Sequence, residues 1–313
     1  MTATVTGLGC ALPSRRLTNA DLEARVDTTD RWIVERTGIR ERRIAGPDDT
    51  TASLATAAGG AAIKDAGLTP DDIDLLVLAT CTPDQQLPHT SARVQDALGL
   101  RCGALDLGAA CAGFVYALGF AASIVETGRA EHVVVVGAET LSRIIDPDDR
   151  GTAVLFGDGA GACVVSRSDQ PGGLLSWHVG CDGAAADLLQ IPPEAGFLQM
   201  DGPEVFRRAV RVVVESAAAA LARAGLAAED VGLFVPHQAN IRIIQAAAER
   251  LGIPMERVVV NIERYGNTSA ASIPIALHEA VTAGRLSAGD VVLMSGFGAG
   301  MTYASATLRW GAA

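Results

Sequence analysis

Apolar positions along this chain fall into two patterns. Residues 5–10 read as a first strand, and residues 73–80 and 133–137 as largely apolar runs with little alternation, as expected of strands covered on both faces. The stretches between them have helical spacing. Residues 19–37 read as helical, with Trp32 and Arg36 four apart and so on one face. Residues 51–66 form an Ala-rich helix that Gly67 ends, and residues 94–98 belong to another helix. Arg40, Glu41, Arg42 and Arg43 read as a charged turn on a solvated face; residues 153–166, with Gly157, Gly159 and Gly161, read as a hairpin. One helix-like run has no polar face. It opens at Gly108-Ala109-Ala110-Cys111-Ala112-Gly113-Phe114 and continues through Val115, Tyr116, Leu118, Phe120, Ile124 and Val125 to about Glu126. Such a helix belongs in the middle of a core.

The second half repeats the order of the first. Gly67 and Gly225 lie in matching Ala-Gly-Leu segments, 158 residues apart. The same offset places Gly266-Asn267-Thr268-Ser269-Ala270 opposite Gly108-Ala109-Ala110-Cys111-Ala112, and Val291 opposite Val133. One offset at three separated places, without a gap, indicates a duplicated unit. Its boundary falls near residues 168–173, where Asp169, Pro171 and Gly172 cluster, so the halves are residues 1–168 and 169–313. Alternating strands and helices imply an α/β fold with mostly parallel sheets covered by helices. In this register Ser269 is equivalent to Cys111, and a reactive thiol exists in one copy only.

Composition narrows the picture. The 313 residues suffice for two domains. With 49% hydrophobic but only 4% aromatic residues, the core must be built from Ala, Val, Leu, Ile and Gly with close backbone packing. A net charge of −11 argues against nucleic acid or an anionic membrane as general partner. Six cysteines without CxxC spacing read as reduced thiols of a cytoplasmic protein. The first residues lack a basic segment followed by an apolar one, so no secretory signal is expected, and no apolar run approaches the ~20 residues of a membrane span. No cluster has metal-ligand spacing, and no metal is expected.

Three residues stand out chemically. Cys111 sits at a helix start, where free N–H groups favour a thiolate and can lower the pKa to about 3.5–7.5; the alternative is a buried, inert cysteine. His237 ends the strand Leu233-Phe234-Val235-Pro236, at the carboxyl end where parallel strands present functional groups, or is a structural histidine there. It is followed by a helix with Ile241, Ile244, Ala248 and Leu251 on one side. Asn267 lies in a helix-opening turn, where an Asn or Ser can simply cap. The duplication brings the Asn267 loop opposite the Cys111 loop, so thiol, imidazole and carboxamide would share one site between the halves.

With these residues the chain resembles the β-ketoacyl-acyl carrier protein synthase III family of the thiolase-like superfamily, nearly end to end. The resemblance is carried by Thr28 through Ile39, the Cys111 segment, Asp149-Arg150-Gly151 and Phe156-Gly157-Asp158-Gly159-Ala160. It continues in His237-Gln238-Ala239-Asn240, Gly266 through Ser272, and Gly296-Phe297-Gly298-Ala299-Gly300. It implies duplicated α/β halves layered α-β-α-β-α. It also implies decarboxylative condensation of an acyl-CoA primer with malonyl-acyl carrier protein through an acyl-Cys111 intermediate, initiating fatty acid or related polyketide synthesis. His237 and Asn267 would stabilise the enolate, Ala299 would complete an oxyanion hole with Cys111, and Phe297 would press on the malonyl carboxylate. Trp32, Arg36, Arg150, Gly202, Phe206 and Arg242 resemble CoA-binding positions. Arg207, Arg208, Arg211, Arg242 and Arg250 would form a basic patch for the acidic carrier protein. Leu87 lies where relatives close the acyl pocket across a homodimer. No cofactor beyond the acyl-CoA substrate is implied.

Residue types separate the rivals. A thiolase needs a second catalytic cysteine in the terminal glycine loop, and no Cys follows Cys181. Elongating synthases use two histidines, where this chain has Asn267. Plant-type polyketide synthases share Cys-His-Asn but are usually longer. An acyltransferase of the same fold, moving an acyl group from Cys111 to an alcohol or amine, is the nearest alternative. A papain-like hydrolase fits the repeat poorly, and a non-catalytic scaffold would leave Cys111 unacylated.

Overall fold

The computed structural model describes residues 2–170 and 172–311; Pro171 of the expected boundary lies outside them, as do Met1, Ala312 and Ala313. The first sheet contains β1 (Thr2–Ala11), β2 (Leu75–Ala79), β3 (Gly103–Leu107), β4 (His132–Thr140) and β5 (Asp158–Ser168). Their order is β1-β5-β4-β2-β3, with β4-β2-β3 parallel and β1 and β5 antiparallel to their neighbours. The second sheet contains β6 (Gly173–Cys181), β7 (Val231–Pro236), β8 (Val291–Gly298) and β9 (Thr302–Arg309), ordered β7-β8-β9-β6. Strands β7 and β8 are parallel, the other pairs antiparallel. Where β3 has its place in the first sheet, the second has only a bridge between Phe234 and Val258.

Five longer helices complete the layers: α1 (Thr51–Asp65), α2 (Gly113–Glu126), α3 (Gly202–Arg223), α4 (Ile241–Leu251) and α5 (Ser272–Thr282). α1 covers the outer face of the first sheet, α3 and α4 that of the second, and α2 and α5 lie between the sheets. The fold is thus the thiolase-like α-β-α-β-α arrangement. α2 is buried nearly all round, as its sequence requires; Phe114, Val115 and Leu118 pack among β2, β4, β8 and β9. Truncating Phe114 to Ala would cost about 3–5 kcal/mol. Small residues set the layer spacing. A Cβ on Gly119 would fall 2.2 Å from the Trp177 ring, and one on Gly161 2.8 Å from the Ile275 backbone nitrogen.

Three local expectations differ from what is observed. Residues 19–37 form two helices, Asn19–Glu23 and Asp30–Thr37, because Thr18 and Thr29 each cap a separate start. The 153–166 stretch is not a hairpin. Ala153 ends a short helix, Arg150–Ala153, and from Asp158 onward the stretch is the single strand β5, its small residues letting α5 approach. Arg42 is not on a solvated face. It is fully buried, with Asn19 Oδ1, Leu17 O and Val154 O accepting from its guanidinium.

The repeat also shifts by one residue near its centre. Cys111 lies in the 3-10 turn Ala110–Ala112, which leads into α2; the matching turn is Ser269–Ala271, leading into α5. The two first residues, Ala110 (φ 46) and Ser269 (φ 48), are the two left-handed non-glycine residues described. The true offset here is therefore 159, and the counterpart of Cys111 is Ala270, not Ser269.

Candidate active site

The nucleophile turn is seated backbone to backbone against β8. A Cβ on Gly298 would stand 2.5 Å from Cys111 N, and one on Gly296 3.2 Å from Cys111 O. Only glycine allows this approach. Gly298 leads into the 3-10 turn Ala299–Met301. Cys111 and Ala299 both stand early in such turns, where N–H groups have no carbonyl partner inside the turn. Gly298, between them, has no side chain to cover them.

His237 follows the last residue of β7, and its N–H donates to Ser295 O at 2.8 Å, so the adjacent β8 fixes its backbone. The ring is buried, with Nδ1 2.6 Å from Ser272 Oγ at the start of α5. Ser272 Oγ also accepts from Gln238 N at 3.3 Å and has its own hydrogen free to donate to Nδ1, the arrangement assigned here. The imidazole hydrogen is then on Nε2. Burial lowers the His237 pKa from 6.5 to about 3, so the ring is neutral. Phe297 meets it edge-on, with centroids 5.5 Å apart.

Asn267 is held from both sides by the Leu155–Gly157 backbone. Its N–H donates to Leu155 O at 2.8 Å, and its carbonyl accepts from Gly157 N at 2.9 Å. Its Oδ1 accepts from Ser269 N at 2.8 Å, which leaves Nδ2 as the outward donor.

Cys111, His237, Asn267 and Phe297 line one end of a cavity of about 510 Å³. Leu155, Phe156, Leu189, Met200 and Val205 form apolar walls, and Trp32, Arg36, Gly202, Phe206 and Arg242 line the outer part. The segment between Cys181 and Gly202 contributes through a small ribbon, Leu189–Gln190 paired with Gln199–Met200. Arg150 lies over the Trp32 ring at 4.9 Å from its centroid, and Arg242 over Phe206 at 5.2 Å.

Several expectations need revision or qualification. The Cys111 thiol is not held low. Burial pushes it up to about 12, with the Ser269 hydroxyl opposing and the Glu139 carboxylate adding to the rise. The helix start is present, but desolvation outweighs it. Arg207 and Arg208 are already engaged: Glu204 accepts from both at 2.6–2.8 Å, and Arg208 also bonds Asp182 at 2.8 Å. Those two guanidiniums draw the Glu204 pKa down to about 2. Arg211, Arg242 and Arg250 are exposed and make no ion pair among the described residues. Leu87 is 78% exposed and lies outside the cavity of the single chain. Ser272, which orients His237, and Glu139, at the end of an apolar strand, carry roles that no periodicity marks. An acidic residue closing the run Val133–Val136-Gly137-Ala138 was the one visible signal for the latter. Among the described residues no group of three or more His, Cys, Asp or Glu is placed to hold a metal ion.

Two family models match the chain: 3-oxoacyl-[acyl-carrier-protein] synthase III over residues 105–183, and the C-terminal part of the same family over residues 221–310. A curated β-ketoacyl-[acyl-carrier-protein] synthase III from Roseiflexus castenholzii is 51% identical, covering 99% of this chain and 98% of its own. The crystal structure of 3-oxoacyl-[acyl-carrier-protein] synthase III from Aquifex aeolicus superposes with a TM-score of 0.96 at 48% identity, covering 98% of this chain and all of that one. The priming β-ketosynthase of the R1128 polyketide pathway is similar at a TM-score of 0.94 and 43% identity, covering 98% of this chain and 96% of that one.

Proposed function

The chain belongs to the β-ketoacyl-[acyl-carrier-protein] synthase III family and is a condensing acyltransferase; from this we propose how its own residues divide the work. The Cys111 sulfur attacks the thioester carbonyl of an acyl-CoA. The thiol gives its proton to solvent, the new S–C bond forms as the C–S bond to CoA breaks, and CoA leaves as a thiolate that solvent protonates. The N–H groups of Cys111 and Ala299 hold the oxyanion, in a place that Gly298 keeps empty. Trp32, Arg36 and Arg150 hold the nucleotide end, and Gly202, Phe206 and Arg242 flank the arm that reaches the sulfur.

Malonyl-acyl carrier protein then enters. Its thioester carbonyl accepts from His237 Nε2–H and Asn267 Nδ2–H. The bond to the carboxylate breaks and CO₂ leaves; the electron pair goes to the enolate that these two donors stabilise. Phe297 beside His237 keeps that carboxylate away from water. The enolate carbon attacks the acyl group on Cys111, and the sulfur leaves with its electron pair. A neutral imidazole suits this role because its Nε2–H donates without placing a positive charge in a buried site.

The observation that carries the reading is the convergence of a buried thiol and two pre-oriented neutral donors in one cavity. Incubation with acyl-CoA and malonyl-acyl carrier protein should release CO₂ well above a Cys111→Ser control. Intact-mass measurement should show the acyl group on Cys111. Acyl transfer to an alcohol or amine without CO₂ would instead mark the acyltransferase alternative. The carrier protein docks at Arg211, Arg242 and Arg250 rather than at the neutralised Arg207 and Arg208. The working unit is a homodimer in which Leu87 of one protomer covers the partner's pocket; light scattering tests the state. No helix among the described residues is long and apolar enough to cross a membrane, and the six cysteines are unpaired, as suits the cytoplasm.

A further inference from the structure

One carboxylate beside the site has no part in the reaction above. Glu139 on β4 is fully buried and makes no ion pair among the described residues. Neutral donors hold it: Thr82 Oγ1 at 2.7 Å, Cys81 N at 3.0 Å, Thr80 Oγ1 at 3.2 Å and Ala270 N at 3.4 Å. A buried carboxylate without a cation is expensive to keep, and burial raises its pKa.

The internal repeat explains its position. On β4, a Cβ on Gly137 would stand 2.3 Å from Ala270 O; on β8, one on Gly296 would stand 3.2 Å from Cys111 O. The two glycines are 159 residues apart, as are Cys111 and Ala270. Each strand thus cradles the helix-opening turn of the opposite half. Two residues further on stand Glu139 and Gly298, again a matched pair. Gly298 leaves the Cys111 amide uncovered, whereas Glu139 lays its carboxylate on the Ala270 amide. The chain therefore builds the amide cup twice. One copy is open to substrate; the other is filled by the protein itself.

We propose that Glu139 is a positioning residue that, by filling the second cup, locks the Ser269–Ala271 turn and through it the carboxamide of Asn267. The link is direct: Ser269 N, in that turn, donates to Asn267 Oδ1 at 2.8 Å and so sets where Nδ2 points. The inference rests on the decarboxylating role given to Asn267 above. Glu139→Gln keeps the shape but presents an NH₂ to a row of donors.

The test separates the two half-reactions in the full-length enzyme. In Glu139→Gln, CO₂ release from malonyl-acyl carrier protein by pre-acylated enzyme falls tenfold or more in kcat, with KM changed less than threefold. Acylation of Cys111 by acetyl-CoA, followed by intact mass, stays within threefold or quickens, since an anion beside the thiol is gone. Glu139→Asp recovers part of the lost rate. If both half-reactions match wild type, or both fall together, the proposal is wrong. Should Glu139→Gln fail to fold, Thr82→Val removes one donor to the same carboxylate; it carries the same expected split, about threefold, and equal half-reactions overturn the proposal. Wild-type enzyme that releases no CO₂ would instead refute the condensation reading itself.

Discussion

Ser272→Ala isolates the orientation of His237. The mutation removes one oxygen that serves two buried groups, Nδ1 of His237 at 2.6 Å and the N–H of Gln238 at 3.3 Å. Its position at the start of α5 tolerates alanine, so the helix itself is not at issue. Without the hydroxyl, Nδ1 is a buried acceptor with no donor. The ring can then turn, or carry its hydrogen on Nδ1, and Nε2 no longer donates to the malonyl thioester. Leaving such a group unsatisfied costs about 1–3 kcal/mol. If that loss falls on the orientation required for decarboxylation, the rate drops by about five- to 150-fold. Single-turnover CO₂ release from malonyl-acyl carrier protein measures this, with Cys111 acylation by acetyl-CoA as internal control. CO₂ release within twofold of wild type in the folded variant would refute the tautomer argument. An equal loss in acylation would show that Ser272 supports the turn at Cys111 instead.

Other outcomes follow from the same geometry. Gly298→Ala places a methyl 2.5 Å from Cys111 N and should abolish acylation by acyl-CoA; a variant that is still acylated at a tenth of the wild-type rate would rule out an oxyanion site there. In the unliganded enzyme, Cys111 alkylation by iodoacetamide should keep rising beyond pH 9, because burial holds the thiol up near 12; a plateau near pH 7 contradicts this. His237 has a folded pKa of about 3 against 6.5 unfolded, so its contribution to stability is complete above pH 6.5 and is lost as pH falls toward 3; the condensation rate should show no acid limb at 6.5, and one that His237→Gln removes would refute the neutral donor. Trp32→Ala, which removes the ring under Arg150, should raise KM for acyl-CoA about tenfold, within the ~1–3 kcal/mol of a base–aromatic stack, with kcat at saturation little changed. Arg242→Glu with Arg250→Glu should raise KM for the carrier protein tenfold or more, while Arg207→Ala, already paired with Glu204, should leave it within twofold.

The amino-acid order revealed the layers more fully than the local chemistry. α2 was legible because a helix apolar on every side has only one place to go, and the duplicated Ala-Gly-Leu segments exposed the repeat. The one-residue slip that pairs Cys111 with Ala270 was hidden, because a gapless match at 158 is what the local resemblance favours; only the two left-handed residues and the helix starts reveal 159. Arg42 was misplaced because a run of charges says nothing about which member meets Asn19 and two backbone carbonyls. The thiol's proton affinity depends first on desolvation by burial, with the charge of Glu139, brought there by a strand from elsewhere in the chain, adding to the rise. Likewise, the neutralisation of Arg207 and Arg208 depends on where Glu204 and Asp182 fall in space.

The glycines of β4 and β8 bear on how this site can be probed. An alanine scan works by subtraction and is informative where a side chain contributes atoms. At Gly137, Gly296 and Gly298 the contribution is vacant volume, already measured by how close a methyl carbon would come to the facing turn. Conventional truncation mutagenesis therefore passes over the strand positions on which the seats of the Cys111 and Ala270 turns depend, and a scan that adds one carbon at a time would find them.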